Sequence, residues 1–347
     1  MATCVLRDLT EIGDYIKPYI VAEVNSSHNG NMDTALEMIV KAKETGCNCV
    51  KFQSWSAESL YSKTYYDANP IAKRIVSKLS LSEEQLLEVA RFCKEQKIAF
   101  ASTPYAGQEV DFLIEKCDVP YIKVGSMDLI NYPFLDYIAR SGVPIVLATG
   151  MGDIEEIRRA VDVIKNAGNK ELCLLHCISI YPPEISTIRL KNILGLREEF
   201  PDCPIGFSDH SIGIEMATAA VALGAAMIEK HFTLDRQKIG MDNQMATEPE
   251  EMTRMIQSCH NVFLALGSQE RIVLPEEIEQ RKKMRRSIVA AKDLKAGTKI
   301  TEADLDAKRP GDGYPPEKIN ELLGKVLKRD VKGDTLINEA DFMDKEC

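Results

Sequence analysis

Eight short apolar runs recur along the first two thirds of the chain: Tyr19–Val24, Cys49–Phe52, Ile98–Ser102, Tyr121–Val124, Pro144–Ala148, Leu172–Leu175, Pro204–Phe207 and Ala226–Ile228. Each is nearly continuous in apolar side chains, the pattern of a strand covered on both faces. Between them lie amphipathic stretches at Asp33–Glu44, Glu83–Glu95, Gln108–Lys116, Ile154–Asn166, Leu190–Glu199, Ile214–Leu223 and Pro249–Leu264. Asp33 and Ser82 have the chemistry of helix N-caps, and Gly46 and Gly168 that of C-terminal stops. Parallel strands need crossover helices, so eight strands alternating with helices predict an α/β fold, the (β/α)8 TIM barrel. A doubly wound open sheet is the alternative, but no Gly-x-Gly-x-x-Gly follows any of the runs.

Past residue 285 the pattern changes. Ser287–Ala290, Val326–Leu327 and Thr335–Ile337 read as short strands between turn-rich stretches such as Arg309-Pro310-Gly311-Asp312-Gly313. The expected division is a barrel over 1–271, a charged linker over 272–285 and a compact module over 286–347. A module of about 60 residues is near the lower limit for independent folding, so it is expected to cover a partner surface. Its plain role is oligomer packing. Arg309, set between a lysine and a Pro-Gly turn, is also placed to reach into a site, including another subunit's.

Composition narrows the choice of ligand. The chain has 347 residues, 45% hydrophobic and 28% charged, an ordinary globular balance. Its net charge is −10, and the only basic tract is Arg281–Arg286. A general nucleic-acid or anionic-membrane surface is therefore not expected, and any anionic ligand must be held by a few placed cations. No apolar stretch approaches the ~18 residues of a membrane span, and residues 1–10 lack the layout of a leader, so a cytoplasmic protein is expected. The ten cysteines then read as reduced, mostly buried thiols, and without a paired CxxC they give no support for a structural zinc site.

The chemistry lies where the apolar runs end. Glu23-Val24-Asn25 followed by His28, Lys51-x-Gln53, Ser102-Thr103, Lys123-x-Gly125-Ser126, Thr149-Gly150, His176, Ser208-Asp209-His210 and Glu229-Lys230-His231 all sit at such ends. One polar ending is usually a strand running out into solvent. Eight of eight are harder to dismiss, because a barrel gathers these ends on the face that carries active sites. Four of the five histidines, His28, His176, His210 and His231, fall there. A lone histidine is more often a hydrogen-bonded filler, but four on one rim favour function. His210 and His231, on adjacent strands, are the expected metal pair, and imidazoles without thiolates suit Mn, Fe, Co or Zn in a partly open site. Asp209 is weighed equally as a direct ligand and as a supporting partner. Lys51 and Lys123, with Ser126, Thr103 and the amides near Gly125 and Gly150, suggest a small phosphorylated or multiply anionic substrate. Alternation sets Lys230 opposite Glu229 and His231, so it is expected to face the helices.

These residues resemble the sialic acid synthase (N-acetylneuraminate synthase) family along almost the whole chain. The matching motifs are Ala22-Glu23-x4-His28-Asn29-Gly30, Val50-Lys51-Phe52-Gln53, Ser102-Thr103-Pro104, Lys123-Val124-Gly125-Ser126, Ala148-Thr149-Gly150-Met151, Leu174-Leu175-His176-Cys177 with Tyr181-Pro182, Gly206-Phe207-Ser208-Asp209-His210 and Glu229-Lys230-His231-Phe232. The tail, with Lys308-Arg309-Pro310-Gly311 and Leu323-Gly324-Lys325, resembles the family's antifreeze-like (SAF) domain. The resemblance implies metal-dependent condensation of phosphoenolpyruvate with an open-chain N-acylated hexosamine such as N-acetylmannosamine. The products are a nine-carbon 2-keto acid and phosphate, formed with C–O cleavage. It implies Mn(II) or Mg(II) on His210 and His231, and a homodimer with the tail of one subunit over the other's barrel. Lys51, Lys123, Ser126 and Ser208 would grip phosphate and carboxylate, and Glu23 would bind sugar hydroxyls. Asp128 would activate water or shuttle a proton, and Gln53, Thr103 and Tyr181 would complete the pocket. Arg309 would meet the N-acyl group from the other subunit.

Three departures fall on the side expected for the sugar. Asn25-Ser26-Ser27-His28 stands where the family usually shows Gly-x-Asn-His. Ser179 replaces an asparagine found in some members, and Gly240-Met241-Asp242-Asn243 replaces Gly-Pro-Asp-His. They leave open a 2,4-diacetamido acceptor, as for legionaminic or pseudaminic acid. Rival readings are a Schiff-base aldolase with Lys123 as the amine, a condensing enzyme acting on a sugar phosphate, and a non-catalytic glycan-binding protein.

Overall fold

The computed structural model describes residues 1–343. The chain opens with an antiparallel hairpin, β1 (Thr3–Val5) and β2 (Glu11–Gly13), which the apolar pattern does not reveal. Eight strands follow: β3 (Tyr19–Glu23), β4 (Cys49–Ser54), β5 (Ala99–Pro104), β6 (Ile122–Val124), β7 (Ile145–Ala148), β8 (Leu172–Cys177), β9 (Ile205–Asp209) and β10 (Met227–His231). All neighbours pair in parallel, and β10 closes onto β3 with His231 opposite Glu23. The fold is the expected α/β (β/α)8 TIM barrel.

Strand alternation sorts the side chains. Val50, Phe52, Ile122, Val124, Leu147, Leu174, Phe207 and Ile228 face outward and are buried against the helices. Tyr19, Val21, Cys49, Ala101, Tyr121, Val146, Cys173, Leu175 and Met227 form a separate buried cluster with Cys4, Leu6 and Ile12 of the hairpin region. The hairpin thereby plugs the barrel at its amino-terminal end, where Val5 N–H donates to Glu171 at 2.6 Å and Asp14 accepts from Ile205 N–H at 3.0 Å. One end is closed with apolar surface, and the carboxyl end is left for ligands.

Local signals explain most element ends. Ser82 caps the helix Glu83–Gln96 in a capping box with Gln85, and Gly46 ends the helix Met32–Thr45 at φ 95°. The N-cap of that helix is Asn31, whose side chain accepts from Thr34 N–H at 2.8 Å, while the expected cap Asp33 lies in its first turn. The helix Tyr132–Arg140 and three short helices between Ala57 and Leu79 were not expected. Tyr132–Arg140 and Pro70–Leu79 are amphipathic nonetheless, whereas Ala57–Leu60 and Lys63–Ala68 are too short to show a period.

The chain divides into two compact units, Met1–Gly267 and the part from Ser268 onward. In the second unit β11 (Ser287–Ala290) pairs antiparallel with β12 (Leu305–Lys308), over a core that includes Ile288, Leu294, Leu322, Leu327 and Ile337. Val326, Leu327 and Leu336, expected in strands, make isolated bridges. The segment expected as a linker holds the helix Pro275–Met284, tied to this unit by Gly311 N–H donating to the Lys282 carbonyl at 2.8 Å. Among the described residues, no helix is long and apolar enough to cross a membrane.

Candidate active site

One residue pair further along each barrel strand, the inward positions change character. Val21 is followed by Glu23, Cys49 by Lys51 and Gln53, Ala101 by Thr103, Tyr121 by Lys123, and Met227 by Glu229 and His231. With Ser126, Ser208, His210 and Tyr181 these line a cavity of about 290 Å³ at the carboxyl ends of the strands. It also takes in Tyr105, Cys177, Ser179 and Asp242.

The floor is an ionic layer. Lys51 contacts Glu23 and lies 3.8 Å from Glu229, while Lys123 lies 3.5 Å from the other oxygen of Glu229. All four groups are almost fully buried. Lys51 also donates to Thr103 Oγ1 at 3.1 Å, and Ser208 Oγ donates to Glu229 at 3.0 Å. Gln53 donates to Glu23 at 3.0 Å and is itself held by Trp55 and Tyr105. Burial pushes the Glu23 carboxyl up to about 7, against the pull of Lys51. Burial acts the same way on Glu229, but Lys123 and then Lys51 outweigh it and hold this carboxyl below the usual range. Two ammonium groups thus stand in a closed space already balanced by two carboxylates. Glu229 Oε2 is buried without a hydrogen-bond donor among the described residues.

A polar corner at Gly150 lines the same cavity as Lys123. Ser126 Oγ accepts from Gly150 N–H at 3.0 Å and lies 3.1 Å from Cys177 Sγ. A Cβ at residue 150 would stand 2.7 Å from Ser126 Oγ and 2.8 Å from Cys177 Sγ, and closer still to Ser179 Oγ. Only glycine lets these three polar side chains converge there. Ser179, expected beside the sugar, therefore sits with Ser126, expected at the phosphate.

The two expected metal imidazoles do meet. The His210 and His231 rings are 5.4 Å apart between centroids, and Tyr181 stacks on His210 at 4.2 Å. His210 Nδ1 is 2.7 Å from the Ile178 carbonyl, an acceptor only, so the proton belongs on Nδ1 and the lone pair on Nε2. Burial holds both imidazoles below the usual range, His231 furthest, so both are neutral donors. Asp242 lies 3.8 Å from His231 Nδ1. Among the described residues no group of three or more His, Cys, Asp or Glu is gathered as a complete cage. Two neutral imidazoles, with the Asp242 carboxylate close to one of them, nevertheless fit a divalent ion whose remaining positions are left to water or substrate.

The expectations for His28, His176 and Asp209 need correction. His28 and His176 do not line the cavity: His28 accepts from Gly30 N–H at 3.0 Å, and His176 bonds the Ile188 carbonyl at 2.7 Å. His176 is one residue out of phase with Cys177, so it faces the helices. Asp209 is likewise outward, bonded to Ser211 and ion-paired to Lys230 at 2.8 Å, so neither joins the imidazoles. Asp128 follows Ser126 and Met127 at the rim but does not line the cavity, and its carboxyl accepts from Asn131 at 3.0 Å. Arg309 is exposed in the second unit, just past β12. The inward parity of β10 already pointed to Glu229, whereas Asp242, Tyr105 and Ser179 come from loops that periodicity does not address.

A closed parallel barrel with buried ammonium groups and paired imidazoles at its carboxyl mouth defines a barrel of the enzyme type. The NeuB family model matches residues 38–271 and the SAF domain model residues 285–343, and the chain belongs to the NeuB family. It is 36% identical to N,N'-diacetyllegionaminic acid synthase of Legionella pneumophila, covering 94% of each chain. It is 35% identical to human N-acetylneuraminate-9-phosphate synthase over 92% of this chain and 91% of that one. A crystal structure of N-acetylneuraminic acid (sialic acid) synthetase from Leptospira borgpetersenii, in complex with citrate, superposes with a TM-score of 0.74 at 30% identity. It covers 82% of this chain and 98% of that one.

Proposed function

We propose that the chain condenses phosphoenolpyruvate with an open-chain N-acylated hexosamine, N-acetylmannosamine first among them, to a nine-carbon 2-keto acid and phosphate. The observation that carries this reading is the pair Lys51 and Lys123, buried beside Ser126 and Thr103 and within one cavity with His210 and His231. Lys123, Ser126 and the Gly150 corner bind the phosphate, and Lys51, Thr103 and Ser208 the carboxylate. A divalent ion, Mn(II) or Mg(II), held by His210 and His231 would supply Lewis-acid polarisation of the acceptor aldehyde. Glu23, Gln53 and Tyr181 orient the sugar so that C3 of the enol phosphate faces its C1. As the C3–C1 bond forms, positive character grows at C2 and the aldehyde oxygen takes up a proton. The buried carboxylates Glu23 and Glu229 favour that positive character. Water adds at C2, giving up a proton that Asp128 would relay at the rim. The C2–O bond to phosphate then breaks, leaving the 2-keto acid.

The partner is a second copy of the chain, with Arg309 of its tail meeting the N-acyl group. Exposed apolar residues around the mouth, Met127, Met151, Ile180 and Tyr181, support a surface that is covered in the assembly. The same residues favour a second acceptor reading, a 2,4-diacetamido sugar of the legionaminic or pseudaminic type, whose extra acyl methyl would find apolar contact there. The test is incubation with phosphoenolpyruvate, Mn(II) and a panel of N-acylated hexosamines, with mass detection of product and assay of phosphate. A nine-carbon keto acid with equimolar phosphate is expected. Phosphate-free imine trapping by borohydride would favour the aldolase instead, and no consumption of phosphoenolpyruvate with any sugar would refute the reading.

A further inference from the structure

Two segments that depart from the family pattern meet at one contact. Asn25 stands at φ 48°, a left-handed conformation that asparagine tolerates better than most residues. From there its buried side-chain amide donates to Asp242 Oδ2, and Asp242 lines the cavity beside His231. Asp242 belongs to the loop between Phe232 and Thr247, whose base is closed by backbone bonds of Thr233 and Thr247. At the tip Asn243 is buried, and the Asp242 and Asn243 carbonyls accept from Met245 and Ala246 N–H, all within the loop. Asn243 donates to the Lys238 carbonyl within the loop itself, and Ile239 and Met241 are exposed. Among the described residues, the Asn25–Asp242 bond is the only hydrogen bond joining residues 237–244 to anything outside the loop.

The geometry points to Asn25 as a positioning residue that ties Asp242, and through it the 237–244 tip, over the imidazole side of the cavity where the acceptor enters. Asn25 touches no reacting atom in this arrangement; it acts through Asp242. Its amide supplies a donor where a glycine would supply none, so the placement of this carboxylate depends on a residue from the opposite end of the barrel sequence. The kinetic part of the inference rests on the acceptor reading proposed above, whereas the tie itself does not.

Asn25→Gly tests it cleanly, because glycine adopts the same φ without strain and the fold is not put at risk. Loss of one hydrogen bond to a charged group should raise hydrogen exchange of the Met245 and Ala246 amides, which bond the Asp242 and Asn243 carbonyls, roughly tenfold. The same variant should lower kcat/KM for the acceptor roughly ten- to a hundredfold while KM for phosphoenolpyruvate moves less than about twofold. Asn25→Asp, which keeps the shape but sets a carboxylate against Asp242, should lose at least as much. Unchanged exchange at Met245 and Ala246 overturns the inference, and so do equal kinetic losses for both substrates. A parent protein that consumes no phosphoenolpyruvate with any acceptor overturns the function reading instead, and the exchange comparison still decides the tie.

Discussion

The lower and upper halves of the barrel interior are built by the same strands, two residues apart, and have opposite chemistry. Below, Val21, Cys49, Ala101, Tyr121 and Met227 are closed in with the hairpin as dry core. Above, Glu23, Lys51, Thr103, Lys123 and Glu229 take the next inward places. One step of about 6.6 Å along each strand separates a layer of dry core from the layer that lines the cavity. The upper layer is costly to bury unless its charges are paired, and the Glu23–Lys51 and Glu229–Lys123 contacts supply that pairing. The lower layer offsets the remainder by apolar burial.

The contrast is broken most forcefully by removing an imidazole. His210→Ala should lower turnover by about a hundredfold or more with native far-UV CD, and a chelator should do the same reversibly, with recovery on adding Mn(II). Unchanged turnover would remove His210 from the site. Lys51→Met strips Glu23 of its partner and should cost about 3–5 kcal/mol of stability as well as turnover. Adding Glu23→Gln should return much of the stability in denaturant titrations and none of the turnover. In the lower layer, Met227→Ala should cost about 2–5 kcal/mol yet leave kcat/KM within about twofold. A large kinetic effect there would erase the distinction between the layers.

A smaller effect appears within the upper layer as a pH dependence of stability. His231 is held well below its ordinary 6.5 by burial, so below that pH the unfolded chain binds the proton more readily and the folded chain loses stability. Glu23, pushed up to about 7, acts oppositely, adding stability as pH falls from 7 toward its ordinary 4.5. Chemical denaturation at pH 7.5 and 5.5 should therefore show a smaller acid loss in His231→Gln than in the parent, by up to ~1.4 kcal/mol per pH unit. An identical loss in both would mean that His231 is not buried neutral.

The parts legible in the sequence are those set by period. Apolar runs on both faces gave the eight strands, and their polar ends gave Glu23, Lys51, Thr103, Lys123, Ser208, His210 and His231, which all line the cavity. The same reasoning over-counted His28 and His176, because being near a strand end does not fix which face a side chain takes. Parity within the strand decides that, and it separated Lys230 from Glu229 correctly. The hairpin β1–β2 was hidden because three-residue strands are too short to show a period. Asp242 and Ser179 stood out only through the family resemblance, because loops that fold back over a barrel place side chains by tertiary contact, such as the bond from Asn25, and not by spacing.

The central claim, that the upper layer is the seat of an enol phosphate, is tested most directly by titrating phosphoenolpyruvate into the parent protein and into Lys123→Met by calorimetry with Mn(II) present. Saturable binding in the parent, weakened roughly tenfold or more in the variant, is the expected result. Equal affinity in the two proteins would contradict it.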